Sequence, residues 1–170
     1  WLEDQKAIVT LSKSTKIYLD EHVMNNVDLI IQHITMSEIS ELESKALQKA
    51  IAGGVGLAGC HGGLGDAFRN NTEYQYMVGG QFVKHPGDQV DYSVKIAKLQ
   101  NPILKGINNF TLHSEQYYMH VDPAIKVLAT TRFSKEHDSW IEGIEMPVVW
   151  TKSYGKGRVF YSSLGHNKKD

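Results

Sequence analysis

The sequence predicts an α/β protein built on a mainly parallel sheet with an antiparallel margin. Three observations carry this. VDLII, residues 27–31, is an unbroken apolar run of strand length, as expected for a strand covered on both faces. A helical pattern follows it, and then a second apolar run at 55–59. A strand–helix–strand order closes as a right-handed crossover between parallel strands. Beyond residue 90 strand-like segments dominate. The last two flank SYGKG, a turn signal that makes them an antiparallel hairpin.

In chain order, KAIVTL at 6–11 suits a short strand, and VDLII is the next. Ser40 and Glu43 have the S-x-x-E spacing of a capping box, so a helix opens there. Leu42, Ala46, Leu47 and Ala50 fall on one face of it. Gly53 and Gly54 end it, because glycine accepts the left-handed conformation of helix ends. VGLAG at 55–59 is the following strand, and a short helix starts near Gly63. Further strands are expected at 90–96, 110–113, 125–131, 146–151 and 158–163. No repeat, linker or low-complexity tract divides the chain, so residues 1–170 read as a single domain.

Composition removes several functional classes. The 18 basic and 19 acidic residues leave a net charge of −1, with both signs mixed along the chain. That excludes an electrostatic grip on nucleic acid or on an acidic membrane. A single cysteine allows no internal disulfide and no metal motif made of paired cysteines. No apolar stretch approaches the ~18 residues that span a bilayer, and no signal peptide is visible. The expectation is a cytoplasmic protein with a small-molecule partner, no nucleic acid and no membrane, and with homo-oligomerisation left open.

The densest signal is GLAGCHGGLGDAFR, residues 56–69. Gly59-Cys60-His61-Gly62-Gly63 has G-x-X-x-G spacing at a strand-to-helix junction, the layout of a nucleophile elbow. The central position belongs to His61. Cys60 flanks it and is expected to point into the packing beneath, as a small hydrophobe. The competing reading is a plain glycine turn.

GVGLAGCHGGLGDAFRNNTEYQYMVGGQFVKHPG, HSEQYYMHVDPAIKVLATT and MPVVWTKSYGKGRVFYSSLGH together resemble the trehalose-utilisation (ThuA-like) family, in order and in spacing. The resemblance runs from about residue 27 to residue 166. It implies a class I glutamine amidotransferase-like fold: a flavodoxin-like parallel sheet with helices on both faces. It does not imply amidotransferase chemistry, since those enzymes have cysteine where this chain has His61. It also implies a first strand, a loop with glycine and histidine and then a helix, near whose end Trp1 falls, and a final helix beyond the segment matching Ser163 to His166, so the expectation is a domain truncated at both ends.

In open parallel sheets ligands bind beyond the carboxyl ends of the strands. That edge gathers His33 and Thr35 after VDLII, His61 after VGLAG, Glu115, Tyr117, Tyr118 and His120 after FTLH, and His166 after the last strand. Two imidazoles and a carboxylate suit a divalent ion such as zinc. Fold position and family resemblance together make His61, Glu115 and His166 the candidate metal ligands, with His120 in reserve. The candidate catalytic groups are His61, Asp66, Arg69, Glu115 and His120. Without a metal, His61 suits a general base, its ordinary pKa of ~6.5 lying near neutrality. Asp66 and Arg69, three apart on the helix expected after the elbow, also suit a simple ion pair.

For sugar binding, flat rings with polar tips are wanted. Tyr117, Tyr118 and Trp140 offer them, although packing explains the two tyrosines as well. His85, in a His-Pro-Gly turn, stays a substrate-binding candidate through the resemblance. The function this implies is an enzyme of carbohydrate metabolism acting on a disaccharide or its keto derivative, possible with a divalent metal. The alternatives are a non-catalytic sugar-binding or regulatory module, and a hydrolase or amidotransferase that uses Cys60.

Overall fold

The structure is a computed structural model and describes residues 2–167. The chain ends, where the resemblance expects a helix end at Trp1 and a further helix past Asp170, lie outside the described residues.

A one-turn 3-10 helix at Thr15–Leu19 leads into α1 (Glu21–Asn26), which Asp20 caps through the Val23 N–H. Strand β1 (Leu29–Ile31) follows, then α2 (Glu41–Gly53) and β2 (Gly56–Cys60). The capping box expected of Ser40 and Glu43 is present in both directions, and Gly54 ends α2 at φ 131°. β1 and β2 pair in parallel across that helix. The turn α3 (Gly62–Gly65) and α4 (Thr72–Val78) come next. The remaining strands are β3 (Gly80–Lys84), β4 (Gln89–Ile96), β5 (Phe110–Glu115), β6 (Tyr118–Val121), β7 (Lys126–Arg132), β8 (Glu145–Tyr154) and β9 (Gly157–Ser162).

Seven strands form one sheet in the order β1-β2-β9-β8-β7-β4-β5. β1, β2 and β9 run parallel, and every pairing beyond β9 is antiparallel. The antiparallel part is therefore wider than a margin. Its cause is local: the Tyr154–Gly157 turn reverses the chain between β8 and β9, and no helix long enough for a crossover joins β4, β5 or β7 to its neighbours. β3 and β6 make a separate two-stranded antiparallel sheet, which the sequence reading left out.

Two apolar clusters flank the sheet. The larger one joins Leu47 and Ile51 of α2, Met77 and Val78 of α4, Leu64 of α3, and Trp150 and Tyr161 of the strands. Each aliphatic side chain buried this completely stabilises the fold by about 1.5–3 kcal/mol. The smaller cluster holds Tyr92, Val94, Ala129 and Val148. Among the described residues no α-helix contributes to it. The segment through Pro102–Leu104 borders it instead, around a wholly apolar cavity of about 170 Å³. Among the described residues the α-helices pack against the larger cluster, and a single 3-10 turn at Pro102–Leu104, capped by Asn101, lies beside the smaller one.

Two other expectations change. Residues 6–11 form no strand: Ile8 and Leu11 are fully or almost fully exposed, and the segment joins neither sheet. On α2 the buried face is Glu43, Ser44, Leu47 and Ile51, while Leu42 is exposed. Glu43 turns inward because its carboxylate is held by the Ser40 backbone and hydroxyl and by Thr15.

Candidate active site

The elbow is real in geometry. β2 ends at Cys60, α3 begins at Gly62, and His61 between them has φ 51° and ψ −144°. A non-glycine residue there is strained and persists only when its surroundings over-determine it. They do so here. The His61 N–H donates to the Ser162 carbonyl at 2.6 Å, and its carbonyl accepts from the Tyr161 hydroxyl at 3.1 Å and from the Gly65 N–H at 3.0 Å.

The glycines after it are required by close approach. A Cβ on Gly62 would stand 2.7 Å from Thr35 Oγ1, and one on Gly63 only 2.4 Å from His33 Nδ1. His33 and Thr35 thus support the elbow from behind. Beneath it, buried Gln32 ties the layers together. Its Nε2 donates to Tyr74 Oη at 2.6 Å and to the Gly63 carbonyl at 3.3 Å, and its Oε1 accepts from Tyr18 Oη at 3.0 Å.

The strain holds the His61 ring facing Glu115 and His166. His61 Nε2 lies 3.1 Å from Glu115 Oε2, and His166 Nδ1 lies 3.2 Å from Glu115 Oε1. One donor atom from each of the three residues falls within 4.8 Å of the others. This is the ligand set expected from the sequence, brought from the ends of β2, β5 and β9. His61 Nε2 is buried and makes no hydrogen bond. A buried nitrogen with that freedom, beside a carboxylate and a second imidazole, fits a divalent ion of the zinc type. On its other side, His61 Nδ1 meets Tyr117 Oη at 2.9 Å.

Burial holds the His61 pKa below its ordinary value, and the neighbouring His166 and His85 push the same way against the opposing charge of Glu115. The ring is neutral at pH 7, the form a metal ligand or a general base needs. Burial, with Glu115 and Asp66 nearby, raises the Tyr117 phenol far above its usual range, so it stays protonated.

The other candidates divide. Asp66 is buried and accepts both Nε and Nη2 of Arg69 at 2.7 Å, with Gln81 Nε2 added at 2.9 Å. Both residues lie past α3, which stops at Gly65, rather than on it. Arg69 sits over the Phe82 ring, 5.9 Å from its centroid, and Phe82 packs on Tyr117 at 4.4 Å, so the pair adjoins the site. His85 stacks near Phe82 at 5.7 Å and joins the same wall.

His120 does not join it. It is exposed on β6 and lines a separate groove of about 220 Å³ with Tyr76, Gln81 and Asp122, because strand alternation turns it away from Met119 and the core. Tyr118 points to Phe133 at 5.7 Å. Tyr117 is buried and bonded to His61, which suits support better than sugar stacking. Trp140 is exposed. Cys60 is exposed too, not packed beneath the elbow, since it is the last residue of β2, where the chain leaves the sheet.

The sequence pattern described as trehalose utilisation, ThuA, matches residues 1–170. The chain belongs to the ThuA-like family. It is a protein of the trehalose-utilisation type, as the resemblance implied. Its fold is similar to that of a ThuA-like protein from Bacteroides uniformis, at 16% identity and a TM-score of 0.76, covering 99% of this chain and 71% of that one. A ThuA-like protein from Parabacteroides merdae gives 18% identity and a TM-score of 0.72, over 94% and 67% of the two chains. A β-galactosidase from Rahnella sp. R3 matches at 16% identity and a TM-score of 0.57, over 84% of this chain and 21% of that enzyme. At these identities the likeness concerns the fold. No curated protein matches. No helix among the described residues of this ThuA-like chain is long and apolar enough to cross a membrane.

Sequence reasoning missed Tyr161, Gln116 and Phe82. Tyr161 was legible as an inward position of an alternating strand, but not as the donor to the His61 carbonyl. Gln116 is buried and bonds Thr131 Oγ1 at 2.7 Å, which anchors the backbone between Glu115 and Tyr117. Nothing in the local sequence marks a glutamine for that role.

Proposed function

We propose that this ThuA-like chain is a cytoplasmic, metal-assisted enzyme of carbohydrate metabolism that acts on a disaccharide or its keto derivative. The observation that carries the reading is the convergence of His61, Glu115 and His166, with one donor atom each inside 4.8 Å. The family supports sugar as the substrate class.

These three residues would hold a divalent ion of the zinc type. When bound, such an ion polarises a carbonyl oxygen or lowers the pKa of a bound water towards ~7. The protein's own groups supply the rest. Neutral His61 offers a lone pair, and Glu115 offers charge between two imidazoles. The Asp66-held guanidinium of Arg69 presents its remaining N–H groups beside Phe82, where hydroxyl or carbonyl oxygens of a sugar can be oriented. Phe82 and His85 form a flat wall against which a sugar ring can pack.

The test is metal analysis and calorimetric Zn²⁺ titration of the purified protein, repeated with His61→Asn and His166→Ala. Stoichiometric zinc in the wild type and its loss in both variants supports the reading. A wild type that takes no divalent ion overturns the metal assignment. Sugar binding without turnover by the metal-loaded protein overturns the enzyme and leaves a sugar-binding module.

A further inference from the structure

We infer that Tyr117 is a positioning residue: its hydroxyl sets which ring nitrogen of His61 carries the proton, and so frees Nε2 for a divalent ion. The inference rests on the metal reading above.

The geometry is tight on every side. The His61 backbone is pinned at both its N–H and its carbonyl. Tyr117 is 5% exposed and is held between Phe82, at 4.4 Å between ring centroids, and His61, at 4.2 Å. Its oxygen is therefore fixed 2.9 Å from Nδ1, while Nε2 is buried, makes no hydrogen bond and lies 3.1 Å from Glu115. A neutral imidazole has one N–H. An Nε2 that gives its lone pair to a metal requires that proton on Nδ1, and the group placed to accept it is Tyr117 Oη.

A hydroxyl differs here from the carbonyl or carboxylate that more often backs a metal-bound histidine. It can accept from Nδ1–H or donate to a bare Nδ1. The same contact thus serves both tautomers. With no metal, the proton rests on Nε2 facing Glu115 and Tyr117 donates to Nδ1. With a metal, one proton has left Nε2, one has arrived on Nδ1, and Nδ1–H donates to Tyr117. The ring need not turn over, which its packing against Tyr117 and His166 would resist.

The experiment combines Zn²⁺ titration of the wild type and Tyr117→Phe with ring ¹⁵N shifts of His61, assigned through His61→Asn. The phenylalanine keeps the packing and removes only the oxygen. The expected result is an Nε2–H tautomer in metal-free wild type, an Nδ1–H tautomer with zinc, and an about 10–100-fold loss of zinc affinity in Tyr117→Phe. Zinc binding by Tyr117→Phe equal to wild type overturns the inference alone, as does a zinc-loaded His61 that keeps its proton on Nε2. A wild type that binds no zinc overturns the metal reading and this inference together. The wild-type shifts do not depend on Tyr117→Phe, so a Tyr117→Phe that fails to fold does not remove the test.

Discussion

His61 Nε2 stands 3.1 Å from Glu115 Oε2, and the other oxygen of the same carboxylate faces His166 Nδ1 at 3.2 Å. Glu115→Gln keeps the shape of this bridge and removes its charge. Zinc affinity is expected to fall by more than the about 10–100-fold seen when only a supporting residue is lost. Calorimetric titration measures it, and unchanged affinity would exclude Glu115 as a ligand.

Stability should depend on the protonation of His61. Its folded pKa lies below the ordinary 6.5, chiefly through burial. Between the two values the unfolded chain binds a proton that the folded chain does not, so stability rises with pH through that interval and is level above it. Urea midpoints from about pH 5 to about pH 8 should fall on the acid side of 6.5, and His61→Asn should flatten that slope. An equal slope in both proteins would assign the effect to other groups.

The strained elbow predicts an ordering of variants. His61→Gly and His61→Ala both delete the ring, but only glycine adopts φ 51°, ψ −144° without a Cβ clash. His61→Gly should be the more stable by about 1–3 kcal/mol in denaturant unfolding. Equal stability would mean that the turn relaxes when the ring is gone.

Outside the site, Lys152 Nζ is buried against Asp122 Oδ2 at 2.5 Å, donates to the Tyr76 carbonyl and sits 4.1 Å over the Tyr76 ring. The contact joins β8 to α4 and to the end of β6. Removing one charge leaves the other without its counterion. Asp122→Asn should therefore destabilise the fold by about 3 kcal/mol, and the double change with Lys152→Met should recover part of that loss. A loss below about 1 kcal/mol in thermal or urea unfolding would place the pair with ordinary surface contacts.

The chain by itself determined the elements whose signals are local. The Ser40–Glu43 capping box, the glycine stop of α2 and the β8–β9 hairpin depend on backbone chemistry within a few residues, whereas the strained turn at His61 is marked locally by its glycines but held by Tyr161 and Ser162. Fold position and family resemblance also pointed to His61, Glu115 and His166, whose donor atoms lie within 4.8 Å of one another, although Glu115 comes from β5 at the far edge of the antiparallel part rather than from the parallel strands. Tertiary structure decided what depends on neighbours distant in sequence. Residues 6–11 have strand-like character but join no sheet and stay exposed. His120 has suitable chemistry but faces away, because one step along a strand reverses a side chain, while Tyr118 packs toward Phe133 and Cys60 is exposed at the end of β2. Tyr117 changed role from a ring for sugar to a partner for His61 Nδ1, since its 56-residue separation from His61 closes only when β5 and β6 settle against the elbow. Propensity and spacing act over a turn or two of chain, whereas burial and hydrogen-bond partners are set by packing between strands that no local pattern encodes.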